Sequence, residues 1–134
     1  MRDPKTLVVA QRAADLAVAV YRLTSAFPSS ERFGLAMQMR RAAVSIGSNI
    51  AEGCGRTGDQ EFLRFLRIAR GSSTELAFQL ALAAELGFGT SAQHETLAEL
   101  VDHVQRMLNR LTSSVRQKRA ASRSPTGSAA PALG

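Results

Sequence analysis

Tryptophan is absent from this sequence, which has one tyrosine and one cysteine. A lone thiol, Cys54, excludes an intrachain disulfide and a cysteine-only zinc site. Histidine is nearly as scarce. His94 and His103 fall in one C-terminal segment and neither follows a glutamate by three residues, so the Glu-x-x-His pairs of a di-iron bundle are missing. No apolar run approaches the ~20 residues that cross a bilayer. The start, "MRDPKTLVVAQRAADL", has no long apolar stretch and no small-residue cleavage site, so a soluble, cytoplasmic protein is expected. The aromatics are few and do not alternate with the arginines, which argues against stacking of single-stranded bases.

What the chain does have is positive charge, +6 in 134 residues. That length fits one domain. Four of the six surplus charges, Arg116, Lys118, Arg119 and Arg123, follow Thr112, where there is no acid. The closing stretch "AASRSPTGSAAPALG" lacks periodicity. Residues 116–134 therefore read as a basic, disordered tail, serving either nucleic-acid contact or solubility.

Residues 1–115 show one repeated pattern. Asp3 can cap a first helix and Pro4 suits its first position, where the missing N–H has no intrahelical partner. Val9, Ala13, Leu16, Val20, Leu23 and Phe27 then step by four and three, and Pro28 stops the run. Ala36, Met39, Ala43, Ile46 and Ile50 mark a second helix, with Gly53 as its left-handed stop. Phe62, Leu66, Ala69, Ser73, Leu76, Leu80 and Ala83 mark a third, after a capping box at Thr57-Gly58-Asp59-Gln60 and before Leu86-Gly87. Thr90-Ser91-Ala92-Gln93 repeats the box before Leu97, Val101, Val104, Leu108, Leu111 and Val115. The spacing predicts helices over about 4–26, 34–52, 58–86 and 91–115 and no strand, hence an all-α, antiparallel up-and-down four-helix bundle.

This settles a motif question. Gly53, Gly55 and Gly58 match G-x-G-x-x-G, but a dinucleotide loop follows a strand, and these glycines follow a helix. They read as a helix stop and a turn, although the start of the third helix keeps the character of an anion site. No constellation of base, nucleophile or metal ligands surrounds Cys54 or the histidines. No catalytic residue, metal, cofactor, membrane or small-molecule substrate is expected.

Three polar or apolar groupings remain. Arg41, Ser45, Asn49 and Glu52 form a stripe on the second helix, and Glu61, Ser72, Glu75 and Gln79 form one on the third. The stripes either face solvent or meet and hydrogen-bond, fixing how the helices pair. Small residues at Gly71, Ser72 and Ser73 allow close approach. On the back of the third helix lie Arg64, Arg67 and Gly71, then Phe78 and Leu82. An apolar pair one turn apart on an outer face marks a partner surface. The first helix carries Leu7, Ala14, Ala17, Val18 and Tyr21 beyond its core face. A homo-oligomer is expected, with Phe78 and Leu82 in its interface.

The segments "QMRRAAVSIGSNIAEGCGR" (38–56) and "EFLRFLRIARGSSTELAFQLALAAELGF" (61–88) resemble the four-helix-bundle family of 23S rRNA intervening sequence proteins. The resemblance spans about residues 5–115. It rests on Arg41, Ser45, Asn49-Ile50-Ala51-Glu52-Gly53, Gly55-Arg56, Glu61-Phe62, Phe65-Leu66, Ala69-Arg70-Gly71-Ser72 and Glu75-Leu76. It implies assembly as a homopentameric ring and no established catalytic residues. A related branch, the accessory variability proteins of diversity-generating retroelements, implies nucleic acid and a reverse transcriptase as partners.

Two functions follow as expectations. One is a non-enzymatic, homo-oligomeric adaptor for RNA or DNA, with Arg40, Arg41, Arg56, Arg64, Arg67 and Arg70 gripping phosphate. The other is a structural protein–protein interaction module in which those arginines pair with Glu52, Glu61 and Glu75, without nucleic acid.

Overall fold

The computed structural model describes the backbone of residues 4–132 and the side chains of residues 5–123. Asp3 and its capping role lie outside the described residues. Helix α1 spans Pro4–Thr24, α2 Leu35–Cys54, α3 Asp59–Glu85 and α4 Ser91–Ala132, with a 3₁₀ turn at Ser29–Glu31 and no strand among the described residues. Each helix packs on its chain neighbours and α1 on α4, while the backbones of the diagonal pairs α1–α3 and α2–α4 stay apart across the core. Four helices thus close a square around one core. Neighbours run antiparallel: Ser45 meets Ser72, while further on in α2 the Gly53 backbone lies against Phe62, earlier in α3.

Every residue of the four predicted seams is buried, from Val9 to Val115. Leu16, Leu23, Met39, Ile46, Ile50, Phe62, Leu66, Leu76, Leu108 and Leu111 are the bulkiest fully buried groups. Each removes roughly 1.5–3 kcal/mol of apolar surface from water, which drives the helices together.

The helix ends follow local chemistry, with four corrections. At α4 the predicted capping box forms: the Thr90 hydroxyl accepts from the Gln93 N–H at 3.1 Å, and Gln93 Oε1 accepts from the Thr90 N–H at 3.0 Å. The end of α3 also behaves as expected. Gly87 adopts φ 76° and the Phe88 N–H reaches back to the Ala83 carbonyl at 2.9 Å.

At α3 the box at Thr57 and Gln60 does not form. The N-cap is Gly58, at φ 95°, with no side-chain cap, and Asp59 and Glu61 in the first turn complement the helix dipole. Gly53 is not the stop of α2; it lies inside the helix, buried. A Cβ there would sit 2.9 Å from Phe62 Cδ1 and 3.0 Å from Phe65 Cβ, so glycine is required for close packing rather than for a left-handed turn. α1 ends at Thr24, ahead of Pro28, which instead opens the 3₁₀ turn. The expected disordered tail is helical through Ala132; Leu133 and Gly134 lie outside the described residues. Extending an existing helix needs no new nucleus, and Arg116 to Ala121 are mostly strong helix formers. No described side chain after Val115 is buried.

Candidate nucleic-acid interface

The polar stripes of α2 and α3 meet. Ser45 Oγ and Ser72 Oγ are 2.8 Å apart, and Asn49 Nδ2 donates to the Ser45 hydroxyl at 3.0 Å and to its carbonyl at 2.8 Å. All three side chains are half-buried. Glu52 and Glu75 do not join them. Both are exposed, and Glu52 pairs with Arg56 at 2.6 Å, one turn along α2 and its turn. Gln79 is not on a solvated face: it is buried, with Oε1 lacking a partner. Of the small residues, Gly71 has open space around it, so only Ser72 and Ser73 narrow the seam.

The six candidate arginines divide by partner. Arg56 and Arg64 flank the Phe65 ring at 5.3 and 4.5 Å, and Arg64 also pairs with Glu61 at 3.2 Å. Arg40 is committed to α1, where its Nε donates to Thr24 Oγ1 at 2.8 Å and its Nη2 to the Tyr21 carbonyl at 3.4 Å. Its guanidinium lies 4.5 Å from the Tyr21 ring centre. A cation at the C-terminus of α1 also complements that helix's dipole. Arg41 and Arg67 are exposed and Arg70 is half-buried, and none pairs with a described carboxylate.

Around Arg40 the fold gathers residues that sequence reasoning left apart. Tyr21, Arg32, Phe33, Arg40 and Arg41 line a groove of about 310 Å³ between α1 and α2. Phe33 is 76% exposed, with the Arg32 guanidinium 5.4 Å from its ring centre. The expectation that aromatics and arginines stay separate therefore fails here. The available signal was the adjacency of Tyr21 to Arg22 and of Arg32 to Phe33; the sequence does not reveal that the two rings share one groove.

On α3, Phe78 is 68% exposed and Leu82 40%, as the helical wheel placed them. Cys54 is exposed at the end of α2, and His94 is occupied in the α3–α4 turn, 2.6 Å from the Phe88 carbonyl. Among the described residues no cluster of His, Cys, Asp or Glu could hold a metal, and no helix is long and apolar enough to cross a membrane.

Fold and surface together define an all-helical protein whose polar features are a half-buried serine junction and surface arginines. Residues 5–110 match the family of the 23S rRNA-intervening sequence protein, and the chain belongs to that family. It is also similar to a solved protein of unknown function from the S23 ribosomal protein family of Bacteroides thetaiotaomicron. That likeness has a TM-score of 0.75 at 24% identity over 81% of this chain and 98% of that one, and it shows the fold. No curated protein matches the chain.

Proposed function

We propose that this chain is a non-enzymatic adaptor of the cytoplasm that assembles into a ring-like homo-oligomer, a pentamer, and binds RNA or DNA through surface arginines. The observation that carries the reading is that Arg41, Arg67 and Arg70 have no carboxylate partner among the described residues. Arginine keeps its charge at any physiological pH. Unpaired guanidiniums therefore exchange solvent counterions for phosphate with a gain in counterion entropy. The exposed Phe78 and Leu82 support self-association, and a ring multiplies each weak phosphate contact through effective concentration.

Anisotropy of labelled RNA and DNA at two salt concentrations tests this. Binding is expected to weaken steeply with salt, and Arg41→Glu with Arg67→Glu to weaken it further without changing the sedimenting mass. Salt-insensitive or absent binding sinks the nucleic-acid part. The protein-interaction reading then stands, a reverse transcriptase among its candidate partners, supported by the exposed apolar side chains on α1 and α3.

A further inference from the structure

We infer that the groove between α1 and α2 takes a single-stranded polynucleotide, a base resting on Phe33 and phosphates on Arg22, Arg32 and Arg41; this rests on the nucleic-acid reading above and names its site.

Charge is the first argument. Between Asp15 and Glu52 the chain has four arginines and a single carboxylate, Glu31. Glu31 is occupied, because its Oε1 accepts the Leu35 N–H at 3.1 Å where α2 begins. Arg40 is occupied as well, on Thr24 and Tyr21. Arg22, Arg32 and Arg41 remain, all exposed and none paired with a described carboxylate. Grooves of about 380 and 310 Å³ share Arg32 and Arg40, and a third of about 540 Å³, lined by Arg22, shares Tyr21 and Arg40 with the second, so the concave surface continues along the helices rather than ending in one cup.

The rings decide which polyanion fits. Phe33 is 76% exposed, a side chain the fold does not use for its core, and Arg32 sits 5.4 Å from its ring centre. Tyr21, 45% exposed, lies under Arg40 on the same groove. Aromatic faces beside cations suit single strands, whose unstacked bases offer their own π-faces. A duplex presents phosphates but keeps its base faces stacked inside. An isologous contact with a second copy would set this positive face against itself, and a heterologous one, with another face of the copy seated here, would show as a changed sedimenting mass in Phe33→Ala.

The test uses the full chain with a short labelled oligouridylate and an RNA duplex of equal length. Wild type is expected to prefer the single strand. The slope of log affinity against log salt should be about −2, from three phosphate contacts on a single strand. Phe33→Ala should weaken binding roughly 5- to 150-fold, the range for one lost stacking contact, and leave that slope unchanged. Arg41→Glu should lower both affinity and slope, and by clearly more than Arg67→Glu on α3, which lies outside the groove. Phe33 and Arg41 are exposed, so unchanged thermal melts are expected and confirm that the variants fold.

If wild type binds but only Arg67→Glu weakens it, the adaptor reading survives and the groove assignment is wrong. Equal or tighter binding of the duplex, a wild-type affinity in Phe33→Ala, or a changed sedimenting mass in Phe33→Ala also overturns the groove assignment. Tighter binding of an acidic peptide at the same salt would make the face a protein site. If wild type binds no polynucleotide, both readings fall.

Discussion

Ser45 and Ser72 face each other across the α2–α3 seam with their hydroxyls 2.8 Å apart. Asn49 donates to the same Ser45 oxygen at 3.0 Å, which leaves the Ser45 proton available to Ser72. The contact joins residues 27 apart in sequence through groups with no apolar character. It therefore sets the register of two helices whose leucine and alanine seams would tolerate sliding.

Breaking this junction should cost stability without unfolding the protein. Ser45→Ala and Ser72→Ala are each expected to lose about 1 kcal/mol, and Asn49→Ala a similar amount, because a half-buried partner is left unsatisfied. The double variant Ser45→Ala with Ser72→Ala should lose less than the sum, since one bond is removed twice. Urea midpoints at constant slope measure all four. Strict additivity would mean the hydroxyls do not interact in solution.

Two helical glycines should respond in opposite directions. Gly53→Ala places a methyl 2.9 Å from the Phe62 ring. Overpacking of this kind costs roughly 1–3 kcal/mol, more than the ~1 kcal/mol that alanine gains in helix propensity. Gly71 has nothing within 4 Å of the same added atom, so Gly71→Ala should stabilise by roughly 0.5–1 kcal/mol. Thermal melts that moved the same way for both would refute the packing argument.

The outer face of α3 should carry the assembly. Wild type is expected to sediment well above the 14.3 kDa of one chain. Phe78→Glu should shift it to the protomer mass, because a carboxylate in an apolar contact has no partner to offset its lost hydration. The side chain is 68% exposed in the isolated chain, so the fold should survive the change, as far-UV circular dichroism can check. An unaltered mass would move the interface off this face.

Residues one face apart on a single helix are related by the chain itself. The four seams from Val9 to Val115, the exposure of Phe78 and Leu82, and the capping box at Thr90 and Gln93 were accordingly legible from spacing alone. The same holds for the polar stripes as stripes, and the resemblance carried by motifs such as Asn49 to Gly53 agrees with the family match over residues 5–110. The pairing of Glu61 with Arg64, three residues along the same helix, is likewise a relation within one helix.

Relations between helices were decided only on folding. Gly53 and Thr57 were misread because the turn could close in more than one way, and the approach of Phe62 and Phe65 to the α2 backbone selected one of them. Gln79 belonged to a polar stripe by composition, yet packing buried it. Tyr21 and Phe33 each stood beside an arginine in the chain, but the antiparallel return of α2 along α1 placed both rings on one groove. Periodicity encodes which side of a helix seeks the core through the hydrophobic effect. Which polar groups then face each other depends on helix rotation and offset, and those are settled by the summed packing of all four helices rather than by any one of them.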